Sequence, residues 1–171
     1  MLIQQNVDGS TFFNRSWTDF KVGFNDSFGN YWLGNDLLSQ LTVNCSYKLR
    51  FDLQSRNNHN WYYAEYSTFR VLSEADNYTL QVAEFSGNAG YDAFGHHDGA
   101  MFSTKDRDND QSPVENCALL NAGGFWYSGC GFGVVNGAVG SGLGFHWHLR
   151  FLTREPIDLM SSRMWLHCRP Q

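Results

Sequence analysis

No run of about 18 apolar residues occurs in the 171-residue sequence, so no membrane-spanning helix is encoded. Cys-x-x-Cys pairs are absent, which excludes thioredoxin-like and zinc-ribbon readings. No block of Lys and Arg exists either. Twelve basic against 17 acidic residues leave a net charge of −5, a poor basis for binding nucleic acid. The Gly-x-Ser-x-Gly elbow, the His-Glu-x-x-His zinc motif and a phosphate loop are all missing, so no enzyme signature is present. Residues 1–20 lack a charged stretch followed by an apolar one. That pattern implies either a cytosolic chain or one whose natural start lies elsewhere. Charged residues make up 17% of the chain, below a globular average of about 25%, but an aromatic content of 16% argues against disorder.

What is present points outside the cell. Cys45, Cys117, Cys130 and Cys168 are even in number, and four Asn-x-Ser/Thr acceptors occur, at Asn14, Asn25, Asn44 and Asn77. The length predicts one domain over 1–171. Its expected class is α+β: an antiparallel sheet with short flanking helices, from about 1–85 and 155–171, and a loop-rich region at about 86–154.

The local signals support that division. Ser16-Trp17-Thr18-Asp19 reads as a capping box opening a helix from Trp17 to Phe24. Asn35 or Asp36 is placed to cap a second helix carrying Leu37, Leu38 and Leu41, after a turn at Trp32-Leu33-Gly34. Tyr47, Leu49, Phe51 and Leu53 alternate with polar residues as a half-buried strand does. Trp61 to Phe69 predicts a second strand after the Asn57–Asn60 turn, and Tyr78, Leu80 and Val82 a third. Met164, Leu166 and Cys168 mark a final strand.

Three constellations carry possible chemistry. Asp106-Arg107-Asp108-Asn109-Asp110 concentrates oxygen donors of the kind Ca²⁺ takes, although the spacing is not that of an EF-hand, and a solvated acidic turn reads equally. Cys117 and Cys130 are either two buried thiols or a disulfide closing a loop of about 14 residues, worth roughly 3 kcal/mol. Cys45 shares the strand face of Tyr47, and Cys168 that of Leu166, so the two can pair where those strands adjoin. His146 and His148 share a strand face but lack further ligands for zinc, and His96-His97 has the same shortage.

Taken in order, several stretches resemble the fibrinogen C-terminal (fibrinogen-related) domain family, in its ficolin, tachylectin and tenascin types. They are Asp8-Gly9-Ser10, Phe13-Asn14-Arg15-Ser16-Trp17, Tyr31-Trp32-Leu33-Gly34-Asn35-Asp36, Phe85-Ser86-Gly87-Asn88-Ala89-Gly90, Phe102 to Asp110, Asn116-Cys117-Ala118, and Phe125-Trp126-Tyr127 with Cys130. The resemblance implies a secreted, non-enzymatic recognition domain stabilised by calcium. Asp108 and Asp110 would supply carboxylates to the ion, with backbone carbonyls of Ser112 and Val114, or of Pro113 and Glu115, because the stretch from Asp110 to Cys117 is one residue longer than usual. Cys117–Cys130 would be the disulfide beside a ligand pocket lined by Phe125, Trp126, Tyr127, Cys130, Gly131 and Phe132.

The departures from the family pattern are specific. A subdomain with its own disulfide is expected before Leu2, which makes the chain N-terminally incomplete by the family's measure. Cys45 and Cys168 are not usual family cysteines. Gly131 stands where acetyl- and peptide-binding members carry a histidine. Val134-Val135-Asn136-Gly137 replaces Asn-Leu-Asn-Gly, and Ser141 and Gly142 replace an aromatic and an acidic residue. The expected ligand is a glycan or acetylated group. The alternative is an extracellular-matrix or receptor contact with a vestigial pocket, and a third reading is a fragment without activity. Homo-oligomers through upstream segments are a further expectation.

Overall fold

The structure, a computed structural model, describes residues 1–142, 144–149 and 157–168. The outer residues of the expected final segment, 155, 156 and 169–171, lie outside that set.

The sheet follows from alternation. Strand β4 (Tyr47–Ser55) buries Leu49, Phe51 and Leu53 and turns Lys48, Arg50 and Asp52 outward. Strands β5 (Trp61–Val71) and β6 (Leu80–Gly87) extend it as an antiparallel meander. The long final strand β11 (Ile157–Cys168) does not sit at an edge. It runs antiparallel between β4 and the first strand β1 (Leu2–Asn6), with Met164 opposite Phe51 and Leu166 opposite Leu49. Two short strands, β2 (Phe24–Asn25) and β3 (Tyr31–Trp32), complete the order β2-β3-β1-β11-β4-β5-β6. Strand β10 (His146–Leu149) pairs with β11, and β9 (Phe132–Val134) pairs with β10. A separate two-stranded ladder joins β7 (Phe102–Ser103) to β8 (Phe125–Trp126).

The helices pack on the buried face. Helix α1 (Trp17–Val22) opens with a full capping box: Ser16 Oγ accepts from the Asp19 amide, and the Ser16 amide donates to the Asp19 carboxylate. It ends at Gly23. Helix α2 (Asn35–Asn44) differs from the sequence expectation, because its N-cap is Gly34. Gly34 has φ +109°, and a Cβ there would lie 2.8 Å from the Val22 carbonyl carbon. Asn35 is instead buried in the first turn and accepts from the Trp32 indole at 3.1 Å. Trp32 itself lies in β3 rather than in a turn, and Leu37 is 43% exposed while Leu38 is buried.

Tyr78 also departs from the strand reading. It occupies a turn at φ +51°, with its ring buried against Trp17 and its hydroxyl on Asp36. The core holds a large aromatic cluster among its aliphatic residues. Phe20, Trp32, Phe102 and Trp126 meet edge to face or tilted, with ring centroids 5.0–6.0 Å apart.

Candidate functional site

Between Gly87 and β10 the chain forms only short regular elements, so buried side chains bind the backbone that no ladder pairs. Gln4 and Asn6 of β1 both donate to the Val135 carbonyl, and Gln4 also donates to Asn136 Oδ1. Asn136 Nδ2 donates to the Gly124 carbonyl, and Asn121 Nδ2 to that of Cys130. The close approach needs glycine: a Cβ on Gly123 would lie 1.9 Å from the Asn136 carbonyl oxygen. Strand β1 and the loop-rich region therefore meet through buried amides that satisfy one another.

The acidic run divides by role. Asp106 accepts from the Trp17 amide at 2.9 Å and from Thr104 Oγ1 at 2.7 Å, so it ties this loop to α1. Arg107 lies 3.9 Å from the Trp17 ring centroid and donates to Asn77 Oδ1. Asn109 is spent on β7, donating from Nδ2 to the Phe102 carbonyl. Asp108 and Asp110 remain. Asp110 accepts from the Ser112 amide through one oxygen and from the Cys117 amide through the other, at 2.8 and 2.7 Å. Burial pushes its carboxyl above the usual carboxylate range, and the neighbouring Asp108 carboxylate adds to the rise.

Ser112 is half-buried and Val114 is 84% exposed. Among the described residues no group of three or more His, Cys, Asp or Glu converges as a metal cage. Any cation here would draw on Asp108, Asp110 and carbonyl oxygens. That donor set has the hard-oxygen chemistry of calcium, and two facing carboxylates suit a divalent ion.

Asp110 leads directly to the disulfide. Helix α3 (Cys117–Leu120) is capped by Asn116, whose Oδ1 accepts from the Leu119 amide. Its first residue, Cys117, is buried and bonded to Cys130, with Cα atoms 4.8 Å apart. Cys130, Gly131 and Phe132 are each half-buried. The aromatic run expected to line the pocket is buried. Phe125, Trp126 and Tyr127 are 0% exposed and belong to the core. Trp126 donates to the Tyr78 carbonyl, Tyr127 donates to that of Gly123, and Phe125 packs against Phe94 and His97. All three side chains are thus enclosed by the core in this structure.

The accessible edge joins Gly131 and Phe132, which the sequence assigns to the pocket, to Tyr91 and His96, which it does not. His96 is exposed and stacks between Tyr91 and Phe132, at centroid distances of 5.5 and 4.8 Å. His97, next to it, is wholly buried. Its Nδ1 accepts from the Ser128 amide, so Nε2 carries the proton and donates to the Phe132 carbonyl, 3.2 Å away. Burial lowers its pKa to about 3, so it is neutral near pH 7. Tyr66 and the Gly95 amide both donate to Asp92, which fixes the turn that presents the two histidines.

On the far side, Ser141 donates to the Asn121 and Ala138 carbonyls. A Cβ on Gly142 would lie 2.5 Å from the Leu120 carbonyl oxygen. The backbone here is thus built around the small residues. His146 is buried and donates to the Gly144 carbonyl rather than joining a metal site.

The glycosylation acceptors also separate. Asn25 and Asn44 are exposed. Asn14 and Asn77 are half-buried, and the Asn77 side chain is engaged by Arg107.

Sequence and fold comparisons agree with this architecture. Residues 1–161 match the family described as the C-terminal globular domain of fibrinogen beta and gamma chains. Mouse microfibril-associated glycoprotein 4 is 42% identical over 141 residues, covering 80% of this chain and 54% of that protein. Bovine angiopoietin-4 is 39% identical over 170 residues, covering 95% of this chain and 33% of that protein. The chain therefore spans about half the length, or less, of these relatives. The fibrinogen-like globe domain of human ANGPTL6 superposes with a TM-score of 0.85 at 31% identity, over 99% of this chain and 78% of that one. The chain belongs to the fibrinogen C-terminal globular domain family.

Proposed function

We propose that this chain is a secreted, calcium-stabilised recognition domain that binds N-acetylated sugars or acetyl groups and catalyses no reaction. Calcium, held by Asp108, Asp110 and the carbonyls of Ser112 and Val114, or of Pro113 and Glu115, would fix the loop leading to Cys117. The ligand would rest at the edge formed by Tyr91, His96, Gly131 and Phe132. One observation carries the reading: Asp110 bonds the Cys117 amide, and Cys117 is bonded to Cys130 at that edge. Ordering the cation loop therefore orders the edge. A flat aromatic stack suits the methyl group and sugar face of such a ligand.

A specific observation favours a second reading, contact with an extracellular protein or receptor. Gly131 has no side chain, Gly142 admits none, and the three aromatics of β8 and its extension are buried. Few polar groups remain to orient a small molecule. Retention of the folded, secreted protein on immobilised N-acetylglucosamine, released by chelator, supports the sugar reading. Absence of retention from protein that still melts cooperatively refutes it and leaves the protein contact.

A further inference from the structure

We propose that Cys45 and Cys168 form a second disulfide in the secreted protein, one that small thiols open while Cys117–Cys130 stays closed. The ladder between β4 and β11 sets Cys168 directly opposite Tyr47, two residues beyond Cys45 at the end of α2. The two sulfurs lie 2.8 Å apart, closer than sulfurs in ordinary non-bonded contact. A bond needs about 2.05 Å, so a shift of less than an ångström closes it. No rearrangement of the sheet is required, because the strands that carry the pair already adjoin.

Access distinguishes the two bridges. In the inner bridge Cys117 is 0% exposed and Cys130 is half-buried, so neither sulfur belongs to an exposed residue. Cys168 is exposed, and Cys45 lines a cavity of about 370 Å³ between residues 42–47 and 67–70. Thiol exchange needs an attacking thiolate to reach a sulfur, so the outer pair exchanges first.

Formation is balanced by a protein disulfide of the exchange class found in oxidising compartments. A Cys45 or Cys168 thiolate attacks the donor S–S bond and forms a mixed disulfide. The second thiolate then displaces the donor. Two thiols lose two protons and two electrons, and the donor disulfide becomes two thiols. The resulting link ties the end of α2 to the end of the strand that fills the middle of the sheet, across 123 residues of sequence. It does not depend on what the protein binds.

Peptide mapping tests this. The secreted protein is denatured in iodoacetamide without reductant, deglycosylated because Asn44 adjoins Cys45, and digested. The expected result is a linked peptide containing Cys45 and Cys168, with neither alkylated. Stepwise dithiothreitol on the native protein should then expose these two cysteines before Cys117 and Cys130. Full alkylation of Cys45 and Cys168 in protein whose inner bridge is intact overturns the proposal, and simultaneous opening of both bridges overturns the selectivity. A C45S/C168S double variant should melt roughly 5–15 °C lower and ignore mild thiol, whereas the natural chain falls to the same value on reduction. Mapping of the natural chain decides the question even where that variant does not fold.

Discussion

Lowering the pH from about 7 to about 5 should destabilise this domain mainly through His97. The imidazole is fully buried, and its two nitrogens are committed in opposite senses: Nδ1 accepts from the Ser128 amide and Nε2 donates to Phe132. A proton added at Nδ1 would face the Ser128 N–H group and find only the Ser128 hydroxyl, 3.3 Å away, as an acceptor. In the unfolded chain the same residue titrates near 6.5, whereas in the fold it does so near 3. Between those values the unfolded state binds the extra proton, so stability is full above about pH 6.5 and falls as pH drops. The slope approaches 1.4 kcal/mol per pH unit, which gives about 2 kcal/mol at pH 5. For a domain of this size that is a loss of about 4–8 °C in melting temperature. The comparison needs H97Q, in which the amide keeps one donor and one acceptor but does not titrate. Melting both proteins by circular dichroism at each pH isolates the effect. The gap between them should shrink by about 2 kcal/mol from pH 7 to pH 5. A constant gap would refute the assignment of the acid sensitivity to His97.

Asp108→Ala should abolish the calcium-dependent gain in melting temperature, measured with calcium and with chelator; an unchanged calcium response removes the metal from this loop. Ser16→Ala should cost about 1 kcal/mol in urea unfolding by deleting the N-cap of α1. The same box depresses the Asp19 pKa, chiefly through Ser16, so its contribution is present above the unfolded carboxylate pKa and is lost as pH falls through the folded value. Gly34→Ala should destabilise by roughly 1–3 kcal/mol, because a side chain is forced onto φ +109° against the Val22 backbone. Gln4→Leu should cost about 1–3 kcal/mol by stripping a donor from Val135 and Asn136, and full stability in that variant would contradict the buried amide network.

The sheet was legible because strand alternation is a local signal. Tyr47 to Leu53 and Met164 to Leu166 place inward side chains at every second position, and each does face the core. Tyr78 misled because its aromatic ring has the right parity for β6 while its backbone sits in a left-handed turn. The run Phe125-Trp126-Tyr127 carries a different signal. Three consecutive aromatics cannot alternate, and only burial on both faces accommodates them, with Phe125 packing toward Phe94 and His97 and Trp126 toward Trp32 and Phe102. That lack of alternation was the available signal. Gln4 and Asn6 gave none, since their partner Val135 lies about 130 residues away and nothing in a polar residue's neighbours reports a distant carbonyl.

The candidate site gains its coherence from covalent and hydrogen-bonded continuity. Asp106 anchors the acidic loop to α1, Asp110 holds the Cys117 amide, the disulfide carries that constraint to Cys130, and Asn121 binds the Cys130 carbonyl. His97 then bonds Ser128 and Phe132 on either side of the bridge. Each step fixes backbone rather than side chain. An edge positioned this way can lose the side chains at residues 131 and 142 and still keep its shape. On the proposed function, the same scaffold would serve an acetyl group when polar side chains are supplied and a protein surface when they are not. That distinction makes Gly131→His the informative gain-of-function variant. It should strengthen retention on immobilised N-acetylglucosamine over that of the natural chain if the edge already has the geometry for a small ligand. A stably folded G131H that still fails to bind would mean that the aromatic stack of Tyr91, His96 and Phe132, not the missing side chain, excludes the sugar.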